Sequence, residues 1–254
     1  MPEPLLEARR IVKHFGRVHA LEGASFAAYA GEVVAMVGDN GAGKSTLTKC
    51  LSGVYQPDSG EILLEGRRVH IPSPLAALHL GIETVYQDLA LADDLEASAN
   101  LYLGRELLRP GFLGWLGVLD QRRMRAEAQR AFETMGVSRL DARSPVASLS
   151  GGQRQSVAVA RSAVWASKVV LMDEPTAALG VMQRKNVLEL VRKVRERGVA
   201  VVYISHNMPE VLEIADRIEV FRLGIRVARF TASETSLEQL VAAMTGAYSQ
   251  EDAA

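Results

Sequence analysis

Apolar and polar positions along this chain change their period twice. Leu5 to Phe15 and Leu21 to Tyr29 read as strand-like runs, and the Ala30-Gly31 turn leads into Glu32-Val33-Val34-Ala35-Met36-Val37. That short, continuous apolar run predicts a strand buried on both faces. Thr46 to Leu51 reads as a helix, Pro57 to Gly60 as a turn, and Glu61 to Val69 as a hairpin around Glu65-Gly66. From Leu89 to Ala163 a helical period dominates. Met124, Ala128, Phe132 and Met135 share one face of Gln121–Met135, which Gly136 stops; Val157, Ala160 and Val164 share one side of Gln153–Val164. The last part alternates again. Val169–Met172 and Val199–Ile204 read as buried strands, Val181–Arg197 as an amphipathic helix ended by Gly198, Glu210–Ala215 as helical, and Ile218–Phe230 as a hairpin bent at Gly224. Apolar strands alternating with helices predict an α/β fold, a mainly parallel sheet covered by helices with the helical middle as an inserted lobe.

Composition narrows this picture. A chain of 254 residues suits one large α/β domain or one domain with an inserted lobe. The 29 basic and 30 acidic residues argue against broad electrostatic binding of nucleic acid. The single cysteine, Cys50, excludes an intramolecular disulfide and reads as a small core residue on an apolar helix face. No apolar run reaches the ~18 residues of a membrane span, and the start of the chain does not read as a signal peptide. Pro110 to Leu119 is apolar but glycine-rich, either a surface loop over the core or a docking patch. His14, His19, His70 and His79 lack metal-ligand spacing along the sequence.

The chemistry concentrates at Gly38-Asp39-Asn40-Gly41-Ala42-Gly43-Lys44-Ser45. Glycines let a backbone wrap phosphates, and amides at a helix N-terminus form an anion nest. Here a buried strand precedes the loop and a helix follows it. In that setting Lys44 reaches the β- and γ-phosphates and the Ser45 hydroxyl ligates Mg²⁺. Val169 to Met172 end in Asp173 and Glu174, two carboxylates at a strand tip, where open α/β sheets bind ligands. Asp173 suits a Mg²⁺ shell and Glu174 a base for water. Leu149-Ser150-Gly151-Gly152-Gln153 opens a predicted helix; Ser150 reads either as its cap or as part of a second anion nest.

With these motifs in order, the chain resembles the ATP-binding cassette (ABC) family over nearly its whole length. The residues that carry the resemblance are Gly38 to Thr46, Gln87 in Val85-Tyr86-Gln87-Asp88-Leu89, Leu149 to Gln153, Asp173-Glu174-Pro175-Thr176, and His206 in Ile204-Ser205-His206. The resemblance implies a P-loop ATPase core over residues 1–88 and 164–254, with an antiparallel β subdomain near its N-terminus, and a helical lobe over 89–163. It implies ATP and Mg²⁺ as ligands. Two copies would meet head to tail, so that Ser150 to Gln153 of one face the γ-phosphate held by Lys44 of the other. Gln87 matches the glutamine that contacts Mg²⁺ and the attacking water, His206 the histidine that bonds the γ-phosphate, and Phe15 the aromatic that stacks on adenine; core packing is the other reading of Phe15. One departure stands out: the family's usual aspartate after Ala177-Ala178-Leu179 is Gly180.

Several stretches resemble monosaccharide importers in particular: Gly38-Asp39-Asn40, Glu83 to Leu89, Asn100 to Glu106, Asp173 to Val181 and Met244-Thr245-Gly246. That resemblance implies a single-cassette motor of the ribose, xylose or fructose type. Its partners would be a second copy of itself, two membrane-spanning permease subunits and, indirectly, a sugar-binding protein, at the cytoplasmic face of a bacterial inner membrane, with no nucleic acid. The competing readings are a soluble cassette serving cofactor assembly or another machine, and a nucleic-acid-repair cassette. The last lacks the coiled-coil insertion and basic patch it would need.

Overall fold

The computed structural model describes residues 3–86, 88–137, 140–177 and 179–247. Its elements run β1 (Leu6–Phe15), β2 (Val18–Ala28), β3 (Val33–Val37), α1 (Lys44–Leu51), β4 (Ser59–Leu64), β5 (Arg67–Val69), α2 (Pro74–His79), β6 (Ile82–Val85), α3 (Ala97–Leu101), α4 (Phe112–Trp115) and α5 (Gln121–Thr134). After these come α6 (Gly151–Trp165), β7 (Val169–Asp173), α7 (Val181–Glu196), β8 (Ala200–Ile204), α8 (Met208–Ile214), β9 (Arg217–Arg222), β10 (Ile225–Thr231) and α9 (Leu237–Thr245). They fall into two compact units. The first takes in the described residues up to Thr84, Ala166–Pro175 and those from Val194 onward; the second takes in the described residues of Val85–Trp165 and Thr176–Lys193.

The first unit is built on two sheets. An antiparallel sheet has the order β2-β1-β4-β5, and a six-stranded sheet has the order β10-β9-β3-β8-β7-β6. In the larger sheet β3 pairs in parallel with both β8 and β9, and β7 pairs in parallel with β8, bringing Asp173 level with Ile204. At the edge, β9 and β10 pair antiparallel. Every residue of β3 and β8 is buried, as uninterrupted apolar runs require when both faces are covered. Leu47, Cys50 and Leu51 of α1 pack on one side among Leu6, Ile11, Phe26, Met36 and Leu171. Burial pushes the Cys50 thiol up to about 11, which leaves it an inert core group.

One buried charge interrupts the apolar pattern. Glu219 of β9 is fully buried and accepts hydrogen bonds from Arg217, Arg226 and Arg229. Arg217 also donates to Glu32 at 2.7 Å and to the Ala27 carbonyl.

The second unit has its own core, in which α3, α5 and α6 bury Ala97, Leu101, Met124, Ala128, Phe132, Val157 and Ala160 against one another. The buried Asn100 amide closes the chain before α3, accepting from the Ala92 amide at 2.7 Å and donating to the Ala92 carbonyl at 3.0 Å. Trp165 Nε1 donates to the Leu101 carbonyl at 2.7 Å.

Five short or late elements escape the periodicity of the sequence: α2, β6, α3, α4 and α9. Two of them carried end signals. Ser73 caps α2 before Pro74, and Ser236 with Gln239 forms a capping box for α9, which ends at Gly246. Strand β2 also begins at Val18, three residues ahead of the apolar run.

Candidate phosphate-binding site

Strand β3 ends at Val37, and the chain turns through the glycine loop into α1. Gly38 is irreplaceable by steric argument: a Cβ there would stand 2.2 Å from the Phe221 carbonyl oxygen. Gly43 occupies the N-cap of α1 with φ of 98°, and no side chain caps the helix. The amides of Lys44, Ser45 and Thr46 therefore lack an intrahelical acceptor, no acid stands in the first turn, and the helix end carries roughly half a positive charge. Asp39, Asn40 and Gly41 are exposed along the loop, whereas Ala42 is buried and donates its amide to the Asp39 carbonyl at 3.1 Å.

Lys44 Nζ lies across this loop, donating to the Gly38 carbonyl at 2.6 Å and the Asp39 carbonyl at 3.0 Å. Burial lowers its pKa, and the carboxylates of Glu174, Asp173 and Asp39 oppose that shift. The Asp173 carboxyl is raised from its ordinary value by burial first and by neighbouring Glu174 second. Lys49, Lys44 and a hydrogen bond with Ser45 act the other way. A hydroxyl and a carboxylate in contact, with a second carboxylate adjacent, form an oxygen-only donor set. Hard divalent ions that keep several waters favour such sets, so these residues fit Mg²⁺.

Glu174 follows β7 with φ of 51°, a left-handed conformation that costs a non-glycine residue of order 1–2 kcal/mol. Its amide is held by the Ile204 carbonyl at 3.0 Å, and its Oε1 lies 3.0 Å from His206 Nδ1. Glu174 is half-buried and His206 largely exposed. Such a carboxylate can take a proton from water, and the imidazole can hold its orientation or bond an anion. Phe15, at the end of β1, is exposed; its ring meets Tyr55 edge-on with centroids 5.0 Å apart, and Lys13 Nζ stands 5.6 Å from its centroid. It does not belong to the core cluster, and its open position leaves it available to stack on a planar ligand.

In the second unit Ser150 and Gln153 close a capping box at the start of α6. The Ser150 amide donates to Gln153 Oε1 at 2.9 Å, and the Gln153 amide donates to Ser150 Oγ at 3.3 Å. The amides of Gly151 and Gly152 remain as first-turn donors. Gly152 and Gly180 both crowd Gln183, and a Cβ on either would come within 3.0 Å of it. Gln87 lies outside the described residues.

Arg161 escaped the motif-based reading. Its guanidinium, on α6, donates to the Ala90 carbonyl at 2.9 Å and the Leu89 carbonyl at 3.2 Å. Both of those residues have positive φ. The available signal was an arginine inside a helix whose neighbouring Ala160 and Ser162 are buried.

Comparison with known proteins matches residues 21–177 to the family described as ABC transporter. The chain is 50% identical over 247 residues to the fructose import ATP-binding protein FrcA of Rhizobium meliloti, covering 96% of this chain and 95% of that protein. It is 44% identical over 241 residues to the xylose/arabinose import ATP-binding protein XylG of Sulfolobus acidocaldarius, covering 95% and 94%. Among solved structures it resembles the ADP conformation of an ATP-binding cassette of an ABC transporter, with a TM-score of 0.79, 25% identity and 98% of both chains covered.

Proposed function

This chain belongs to the ABC transporter family as an ATP- and Mg²⁺-dependent ATPase, and on that footing we propose that it powers import of a monosaccharide through separate membrane subunits. The observation that carries the reading is the meeting of Lys44, Ser45, Asp173, Glu174 and His206 at the ends of β3, β7 and β8. The sugar-import part rests on the relatives, FrcA and XylG, which match along nearly their full length.

In this reading the amides of Gly38 to Thr46 and Lys44 hold the phosphates, and Phe15 stacks on adenine. Ser45 and Asp173, together with Gln87, would hold Mg²⁺, which would supply charge neutralisation at the phosphates. Glu174 accepts the proton of the attacking water, whose oxygen bonds the γ-phosphorus as the bond to ADP breaks. His206 steadies Glu174 and bonds the γ-phosphate. Ser150, Gly151, Gly152 and Gln153 serve the nucleotide of a second copy, so the working form is a head-to-tail dimer. Its membrane partners are two permease subunits, contacted through the helical lobe near Gln87 to Asp94, with a sugar-binding protein acting on them from the far side. The site of action is the cytoplasmic face of a bacterial inner membrane. Among the described residues no helix is long and apolar enough to cross a membrane, so on this reading the permease supplies the spans.

Glu174→Gln tests this assignment. It removes the proton acceptor while leaving the phosphate nest, so MgATP should drive the variant into a stable dimer in sedimentation, with turnover reduced at least about a hundredfold. A variant that stays monomeric with MgATP, or that turns over like the wild type, overturns the role of Glu174.

A further inference from the structure

Residues 107–120 form a closed excursion from the second unit. Its base is knitted by backbone contacts: Leu108 bridges Leu119, the Arg109 amide donates to the Val118 carbonyl at 2.9 Å, and the Asp120 amide donates to the Leu107 carbonyl at 2.7 Å. Within it the Leu116 amide donates to the Phe112 carbonyl at 3.1 Å, and the Val118 amide donates to the Leu113 carbonyl at 2.9 Å. Gly114 packs the α4 turn directly onto the base, since a Cβ there would stand 1.9 Å from the Arg109 carbonyl oxygen. The excursion is thus held to one shape.

Its side chains bury little. No residue of α4 is buried, Trp115 and Phe112 are 80% and 70% exposed, and their rings stack with centroids 5.8 Å apart. Leu108, Leu113 and Leu116 are exposed beside them. An ordered segment that holds two aromatic rings and three leucines in water marks a contact surface.

The charge around this tip selects the occupant. Between residues 105 and 125 stand five arginines against Glu106 and Asp120. Arg123 pairs with Glu127, Arg125 with Glu96, and Arg105 lies over the Trp165 ring. Arg109 and Arg122 are exposed and have no ion pair among the described residues. An exposed cluster of tryptophan, phenylalanine and leucine, with the exposed Arg109 and Arg122 close to it in sequence, has the chemistry of a bilayer interface. Aromatic rings settle at headgroup depth, leucines reach the acyl boundary, and guanidinium groups meet phosphate.

We propose that this flap inserts shallowly into an anionic lipid surface, giving the chain a membrane contact of its own. The contact does not depend on a permease, and its failure would leave the ATPase reading untouched. The test uses the full chain with vesicles of equal parts phosphatidylglycerol and phosphatidylcholine, their acyl chains brominated to quench tryptophan at close range. The chain should float with these vesicles and lose fluorescence, Trp115→Phe should float without that loss, and phosphatidylcholine alone should hold the chain weakly. Phe112→Ser with Trp115→Ser should lower vesicle affinity at least about tenfold, with ATP affinity unchanged. Arg109→Gln with Arg122→Gln should weaken it about 25-fold, at roughly fivefold per arginine. Absence of flotation, or flotation without quenching of Trp115, overturns the proposal. So does shielding of Trp115 only beside a co-expressed permease, or only on self-association in concentrated protein.

Discussion

Arg161 shows how much single residues matter beyond the motifs. Leu89 and Ala90 hold left-handed backbone at a cost of about 1–2 kcal/mol each, and the arginine's two donations to their carbonyls offset a comparable amount. This strained turn follows Gln87 directly. Arg161→Met should therefore raise amide exchange at residues 88–90 and lower ATP turnover about tenfold or less. The global unfolding free energy should fall by about 1–3 kcal/mol. Unchanged exchange at 88–90 would take Arg161 out of this role. Candidate residues at the glycine loop were legible because their chemistry is local: the spacing of Gly38, Gly43 and Lys44 encodes backbone geometry. Arg161 was not, because its partners are backbone carbonyls, which any sequence supplies.

At the scale of elements, the long apolar runs were legible and the pairings were not. β3 and β8 announced themselves as fully buried strands. By contrast, His14, His19 and Glu22 have no metal-like spacing, yet each offers a ligand atom within 4.8 Å of the others, because β1 and β2 pair His14 with His19. All three are exposed. Register likewise decides Glu219. The sequence read Ile218–Phe230 as a hairpin with no account of an acid at its start. Pairing places Arg229 opposite Glu219 and Arg226 opposite Phe221, so the β9–β10 pair gathers Arg217, Arg226 and Arg229 around one buried carboxylate. Glu219→Ala would strand Arg217, itself half-buried, among charges of its own sign. Urea denaturation should record a loss of about 3–5 kcal/mol, the usual penalty for one member of a buried ion pair, and Glu219→Gln should lose less. A loss below about 1 kcal/mol would mean that Glu32 suffices for Arg217.

At the scale of the molecule, periodicity predicts α7 but not its division between the two units. The described residues of Thr176–Lys193 belong with the second unit, and the end of α7, from Val194, with the first. Nor does one chain contain a complete site in the proposed dimer, where Lys44 of one copy and Ser150 of the other serve the same nucleotide. That division of labour predicts complementation between two inactive variants. Lys44→Ala removes the phosphate cation but leaves the α6 terminus intact. Ser150→Asp keeps a good helix cap while setting a negative charge where the partner's γ-phosphate would sit. Each variant alone should turn over ATP poorly. In a mixed dimer, however, one site combines the intact Lys44 of one copy with the intact Ser150 of the other, and the second site collects both defects. An equimolar mixture should recover up to about a quarter of wild-type turnover if the two-fold dimer pairs at random. If each chain instead completed its own site, both defects would stay with their owners and mixing would recover nothing.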